Sequence, residues 1–276
     1  MKSPSRALLA VALTIGMVCA QNNTISADTA PTGRWMPGAN EPWQWFLDGP
    51  LDLNDPLDMT GGVSSQPTTY SIDGFENPAS TVAALHARGY RVICYTSVGS
   101  WESFRPDAAA FPAVVKGRKV SGWAGEKWLD IRRIDLLGPI MTARFQMCAD
   151  KGFDAVEPDL MDGYTNRTGF RLAAQDQLTY NRWVADTVHS LGMSVLLKGD
   201  PEQAAQLEPW FEFALNEECA QYDECGAYAP FLDAGKTVLH VEYAGTLESF
   251  CPESNVLGMN TMKKNLALDG WRHPCP

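Results

Sequence analysis

From residue 43 to the end of the chain, short apolar runs alternate with longer segments in which apolar residues recur every three or four positions. The short runs are rich in Val, Ile, Leu, Phe and Trp and are bounded by Gly, Pro, Asn or Asp, the pattern of buried strands. They fall at 43–48, 69–73, 91–98, 153–159, 194–198, 211–217, 237–243 and 256–260. Helical spacing predicts 78–88, with Val82 and Leu85 on one face and Gly89 as its stop. It also predicts 136–149, closed by Gly152, and 172–191, ended by Gly192. Shorter helices are expected at 201–207, 225–233, 247–251 and 261–268. Eight alternations of strand and helix predict an α/β fold, a (β/α)8 TIM barrel in a single domain over 41–276. An open doubly wound sheet would carry a Gly-rich phosphate loop after an early strand, and the chain has none. The stretch 99–130 is longer than an ordinary strand-to-helix connection and rich in Trp and Gly, which marks it as a candidate substrate wall.

The first twenty residues read differently. Lys2 and Arg6 precede an apolar run from Ala7 to Val18, and Val18-Cys19-Ala20 offers small residues for cleavage, so 1–20 is expected to be a signal peptide of a secreted protein. Residues 21–40, polar and without an apolar period, read as a flexible leader. No later segment holds the roughly 18 apolar residues that a membrane span needs. Beyond Cys19 there are six cysteines, and an even number in an exported chain reads as disulfides. The expected pairs are Cys219–Cys225 as a loop staple, Cys251–Cys275 at the C-terminus and Cys94–Cys148 by elimination. Zinc would call for a CxxC spacing, which is missing. The net charge of −11 disfavours nucleic acid or anionic membrane as a partner and suits a cationic ligand. A monomer without cofactor or metal is expected. Asn22 and Asn166 open Asn-X-Thr triplets, acceptors for glycosylation in a eukaryotic host.

Candidate chemistry concentrates in Gly152-Phe-Asp-Ala-Val-Glu-Pro-Asp-Leu-Met-Asp-Gly-Tyr-Thr-Asn166. Pro158 excludes a helix interior, and residues two apart on a strand share a face, so Glu157 and Asp159 point the same way at a strand's end. Two carboxylates desolvated together repel, a cost usually tolerated for chemistry. Catalytic groups of a barrel belong at the C-terminal strand ends. There the expected boundaries place Asp48, Asp73, Glu102, Glu157, Asp159, Lys198, Asp200, Glu217, Glu218, Glu242 and Tyr243. With Trp45, Tyr95, Trp101, Trp123, Trp128 and Tyr164 as stacking candidates, an acidic rim suggests glycoside hydrolysis by two carboxylates. A sugar-binding barrel without catalysis is a second reading. A metal-dependent hydrolase using Glu157, Asp159 and Asp162 is a third, with fewer oxygen ligands than a hard cation prefers.

Four segments in order carry a family resemblance: Val92-Ile-Cys-Tyr-Thr-Ser-Val-Gly-Ser-Trp-Glu102, Trp128-Leu-Asp-Ile-Arg132, Val156-Glu-Pro-Asp-Leu-Met-Asp-Gly-Tyr164 and Leu215-Asn-Glu-Glu-Cys219. They resemble glycoside hydrolase family 114, named for endo-α-1,4-polygalactosaminidases, from about Trp43 to the closing Trp271-Arg-His-Pro-Cys275. The resemblance implies a (β/α)8 barrel that cleaves α-1,4-linked galactosamine-rich polysaccharide. It implies Asp159 as nucleophile and Glu217 as acid/base, with Glu218 beside it as the alternative. Retention of configuration suits an Asp nucleophile. Two positions depart from the family pattern: Leu160 follows Glu-Pro-Asp where Asn is common, and Lys198-Gly199-Asp200 replaces Lys-Asn-Asp. An unacetylated galactosamine polymer is cationic. Glu102, Asp73, Asp162, Asp200 and Glu242 are the expected receivers of its ammonium groups, unless Arg132 or Lys198 claims them. Tyr95, Trp101, Glu157, Tyr164, Lys198 and Tyr243 complete the expected substrate contacts.

Overall fold

The computed structural model describes residues 33–276, so the expected signal peptide and residues 21–32 of the expected leader lie outside the described residues. Strands follow one another around a sheet in chain order: β1 (Trp43–Phe46), β2 (Thr69–Asp73), β3 (Arg91–Ser97), β4 (Ala155–Asp159), β5 (Ser194–Lys198), β6 (Phe213–Glu217), β7 (Val238–Glu242) and β8 (Asn260–Lys264). Neighbours among these eight are parallel. A ninth strand that the sequence did not suggest, β9 (Arg272–Pro274), returns antiparallel against β8. Helices Ala79–His86, Ile134–Lys151, Ala174–Ser190 and Leu247–Leu257 fill the longest crossovers. The result is a mostly parallel sheet nearly closed into a (β/α)8 barrel.

Side-chain parity divides the core in two. Trp43, Trp45, Ile93, Ala155, Leu196, Phe213, Leu215, Leu239, Val241 and Met262 form one buried cluster, inside the ring. Their strand neighbours Tyr70, Ile72, Val92, Cys94, Val156, Val195 and Leu197 belong to a second cluster, against the helices. Across the join between β1 and β8, bridging passes to other groups. Asn260 Nδ2 donates to the Glu41 carbonyl at 2.8 Å, Lys264 Nζ to Gln44 Oε1 at 3.1 Å, and the Leu47 amide to the Leu268 carbonyl at 2.9 Å.

The last crossover differs from expectation. The helix predicted to stop at 251 continues through Pro252 to Leu257, where Gly258 caps it with φ 81°. Strand β8 therefore begins at Asn260, not 256, and takes residues 261–264 of the predicted helix 261–268; the remainder is turn and loop. Val256, read as β-branched strand material, is on the exposed face of that helix. Residues 34–37 of the expected leader are docked as well. Trp35 meets Phe213 edge-on at 5.9 Å, and the Pro37 carbonyl accepts from Thr237 Oγ1 at 2.6 Å, both at the N-terminal strand ends.

Within 99–130, Ser100–Glu102, Lys116–Lys119 and Glu126–Leu129 form a separate antiparallel sheet. The disulfides are Cys94–Cys148, Cys219–Cys225 and Cys251–Cys275, the three expected pairs. Among the described residues no helix is long and apolar enough to cross a membrane.

Candidate active site

Counting by twos along each strand from a residue of the inner cluster leads to one place. Ile93 leads to Tyr95, Ala155 to Glu157 and Asp159, Leu196 to Lys198, Leu215 to Glu217, and Val241 to Tyr243. All six point into the C-terminal mouth, where barrel chemistry is sited. At their centre is Lys198 Nζ, 3.2 Å from Glu157 Oε1, 3.1 Å from Asp159 Oδ1 and 3.0 Å from Glu217 Oε2. Two oxygens at 3.1 and 3.0 Å from one nitrogen lie within about 6.1 Å of each other, so Asp159 and Glu217 share one opening. Burial works against the Lys198 charge, but Asp159, Glu217 and Glu157 outweigh it and hold the ammonium well above its ordinary pKa. The ammonium also lies 4.5 Å from the centre of the buried Trp45 ring.

Each of the two acids has a second donor. The Tyr95 hydroxyl donates to Asp159 Oδ2 at 3.0 Å, and the Tyr243 hydroxyl to Glu217 Oε1. Burial and the adjacent carboxylates push both phenols up, so they remain donors across the working pH range. Asp159 and Glu217 have side chains 20% and 33% exposed, against 5% for Lys198. Glu157 is fully enclosed beneath them and takes the Ser71 hydroxyl at 2.5 Å. Burial raises its pKa to about 7, with Asp159 adding to the shift and Lys198 and Ser71 opposing it.

The backbone immediately past these strands is strained. Leu160, Asp200 and Glu218 adopt left-handed φ values of 61°, 56° and 62°, one beyond each of β4, β5 and β6. Such conformations for residues other than Gly gather at functional sites because surrounding structure must hold them there. The turn at Leu160 packs closely on the β3 end: a Cβ at Gly99 would lie 1.9 Å from the Leu160 carbonyl oxygen. The turn at Glu218 aims its carboxylate at Gln221, away from Lys198, so of the two adjacent glutamates only Glu217 joins the pair.

A cleft of about 200 Å³ opens over the pair, lined by Asp159, Asp162, Lys198, Asp200, Asn216, Glu217 and Glu224 among others. Desolvation raises the pKa of Asp162 and lifts that of Asp200 to about 7, and the two acids repel each other or their neighbours. Asn181 donates to Asp200 Oδ2 at 3.0 Å, and Tyr164 also interacts with the Asp200 carboxylate. Tyr164 is at the edge and donates to Glu202 at 3.0 Å. Asn216 and Glu224 were missed from the sequence. Asn216 precedes Glu217 on the strand and so faces away from the ring's interior, yet it lines the cleft and donates to Tyr228 at 3.0 Å. Only the acceptor-rich stretch 215–218 hinted at it.

Four expected substrate contacts lie elsewhere, and a fifth, Glu157, is sealed beneath the pair. Asp73 and Glu102 are sealed in an ion-pair network: Arg105 takes Asp73 at 2.5 and 3.0 Å and Glu102 at 2.8 Å, and Arg144 takes Glu102 at 3.0 Å. Glu242 has the parity of the outer face, opposite to Tyr243. It accepts from the Ala220 amide at 2.8 Å and pairs with His240 at 2.9 Å. Trp101 belongs to the small sheet, where its indole donates to the Ala108 carbonyl and Lys116 lies 4.5 Å from its ring centre. For the metal reading, Glu157 and Asp159 already share a lysine ammonium where a cation would have to bind.

Comparison with known proteins agrees with this fold. The profile of glycoside-hydrolase family GH114 matches residues 24–276. The crystal structure of Aspergillus fumigatus Ega3 in complex with galactosamine superposes with a TM-score of 0.81 at 35% identity, covering 88% of this chain and 98% of that one. The glycoside hydrolase domain of PelA from Pseudomonas aeruginosa shares the fold, with a TM-score of 0.61 at 14% identity, covering 83% and 96%. No curated protein matches the chain significantly.

Proposed function

This chain belongs to glycoside hydrolase family GH114, and on that premise we propose that it is a secreted endo-acting enzyme that cleaves α-1,4-linked galactosamine-containing polysaccharide with retention of configuration. One observation carries the reading: Asp159 and Glu217 meet across Lys198, their facing oxygens within about 6.1 Å. Retaining glycosidases hold their carboxyl groups roughly 5–5.5 Å apart and inverting ones roughly 6.5–9.5 Å; the limit on the facing oxygens accommodates the retaining arrangement, which also suits an Asp nucleophile.

Asp159, the less exposed and held by Tyr95 and Lys198, attacks the anomeric carbon. Glu217, more open to water, protonates the departing oxygen and then deprotonates the water that releases the glycosyl-enzyme. Lys198 and the two tyrosines keep the acids aimed without being consumed. The net charge of −11 and the acids of the cleft attract a polymer of ammonium sugars. Galactosamine in the Ega3 complex supports the same sugar class for this chain. Three disulfides suit an oxidising compartment and thus export.

The test is mass spectrometry of products from a partly deacetylated α-1,4-galactosamine polymer, with NMR of the first anomer formed. Asp159→Asn and Glu217→Gln are expected to fold normally and lose about 10³-fold or more in rate. Turnover retained in both folded variants overturns the mechanism, and inverted first product overturns retention.

A further inference from the structure

A second cavity, of about 420 Å³, adjoins the reaction cleft; Leu160 and Asp162 line both. Its other walls include Trp123, Trp128, Lys119, Asn166 and Arg167. Trp123 is 53% exposed, at the turn joining Lys116–Lys119 to Glu126–Leu129, whereas Trp128 is nearly buried. Lys119 and Arg167 are exposed and, among the described residues, enter no ion pair. The groove thus changes character along its length: carboxylates surround the reacting pair, and beyond Leu160 an exposed indole and two cations outnumber the single acid, Asp162.

We propose that this cavity is an outer subsite for an uncharged pyranose unit of the polysaccharide, a neutral hexose or an N-acetylated hexosamine. The inference rests on the proposed activity, since an endo-acting enzyme binds several consecutive units. An indole offers a flat apolar face at little entropic cost, and a pyranose offers a matching face of C–H groups. Lys119 and Arg167 repel an ammonium sugar placed beside them, and a hydroxyl or acetamido oxygen accepts from the same cations. The central cleft therefore selects the charged unit and the outer cavity the uncharged one, so the enzyme reads the pattern of acetylation along its substrate and not only its linkage.

The test uses the full chain, W123A and the double variant K119E/R167E on short and long α-1,4-galactosamine oligosaccharides. The long ones carry outer units that are either free amines or N-acetylated. Wild type is expected to favour long oligosaccharides with N-acetylated outer units. W123A should raise their KM about tenfold, the effect of losing a Trp contact, with kcat and short substrates unaffected. K119E/R167E should reverse the preference towards free amines. An unchanged KM in W123A overturns the subsite, and an unreversed preference overturns its charge selectivity. If wild type cleaves none of these oligosaccharides, the proposed activity falls and calorimetry decides the subsite alone. Binding of the N-acetylated oligosaccharide that is lost in W123A supports it; equal binding in both proteins, or none in either, overturns it.

Discussion

Lys198 Nζ is 3.0 Å from Glu217 Oε2, and the same nitrogen serves Asp159 and Glu157. One buried cation thus neutralises part of the charge on three acids. Removing it as Lys198→Met leaves those acids facing each other with no counter-charge. Breaking a buried ion pair costs about 3–5 kcal/mol, and the variant is expected to show that loss in urea unfolding. It should also fall at least about 10²-fold in kcat, because misplacing reacting groups by an ångström costs that much. A variant with unaltered stability would show that the ammonium is not the charge partner described.

Glu157 makes stability depend on pH. Its folded pKa, about 7, stands above its unfolded value, so the folded state binds the extra proton between roughly pH 4.3 and 7. The neutral form is the one that burial favours. Stability is then greatest below this window and falls as pH rises through it. Glu157→Gln, which cannot ionise, should flatten that fall in urea midpoints measured from pH 5 to 8. Asp200 is shifted in the same sense and will retain part of the slope. An identical slope in the variant and wild type would contradict the assignment.

Leu160 pays for a left-handed backbone that Asn adopts more easily. Leu160→Asn is therefore expected to stabilise the fold by about 1 kcal/mol, read as a higher urea midpoint at unchanged slope. A loss of stability would mean that the leucine side chain contributes more through its contacts than its φ costs.

Arg144 ties helix Ile134–Lys151 to the long insertion: it donates to the Ser97 carbonyl at 2.7 Å, to Glu102 at 3.0 Å and to Asp107 at 2.7 and 2.9 Å. Arg144→Met should cost about 1–3 kcal/mol by leaving Glu102 Oε2 without its donor while Arg105 still holds Oε1. Limited proteolysis should then cut first between residues 103 and 115. Protection equal to wild type there would sever the link between this network and the insertion.

The barrel was legible because seven of its eight strands are apolar runs with clear stops; the last was obscured by Pro252 and Val256, which argue against helix locally and are overruled by packing. Asp159 and Glu217 were legible by parity and resemblance together. Asp73 and Glu102 were not, since their partners Arg105 and Arg144 come from a loop and a helix whose approach no spacing reveals. Glu242 and Tyr243 show a narrower limit. Neighbours on a strand cannot both face inward, and the sequence does not say which one does until the register is fixed by the inner cluster.

The join between β1 and β8 carries a consequence for the ring itself. Elsewhere the circumference is stitched by backbone ladders. Here it depends on a few bonds from Asn260, Lys264 and Leu47, together worth about 3 kcal/mol at about 1 kcal/mol apiece. The ring is thus closed largely by side chains on the side away from Asp159, so its closure depends on the identity of Gln44, Asn260 and Lys264 in a way that the pairing of the laddered strands does not.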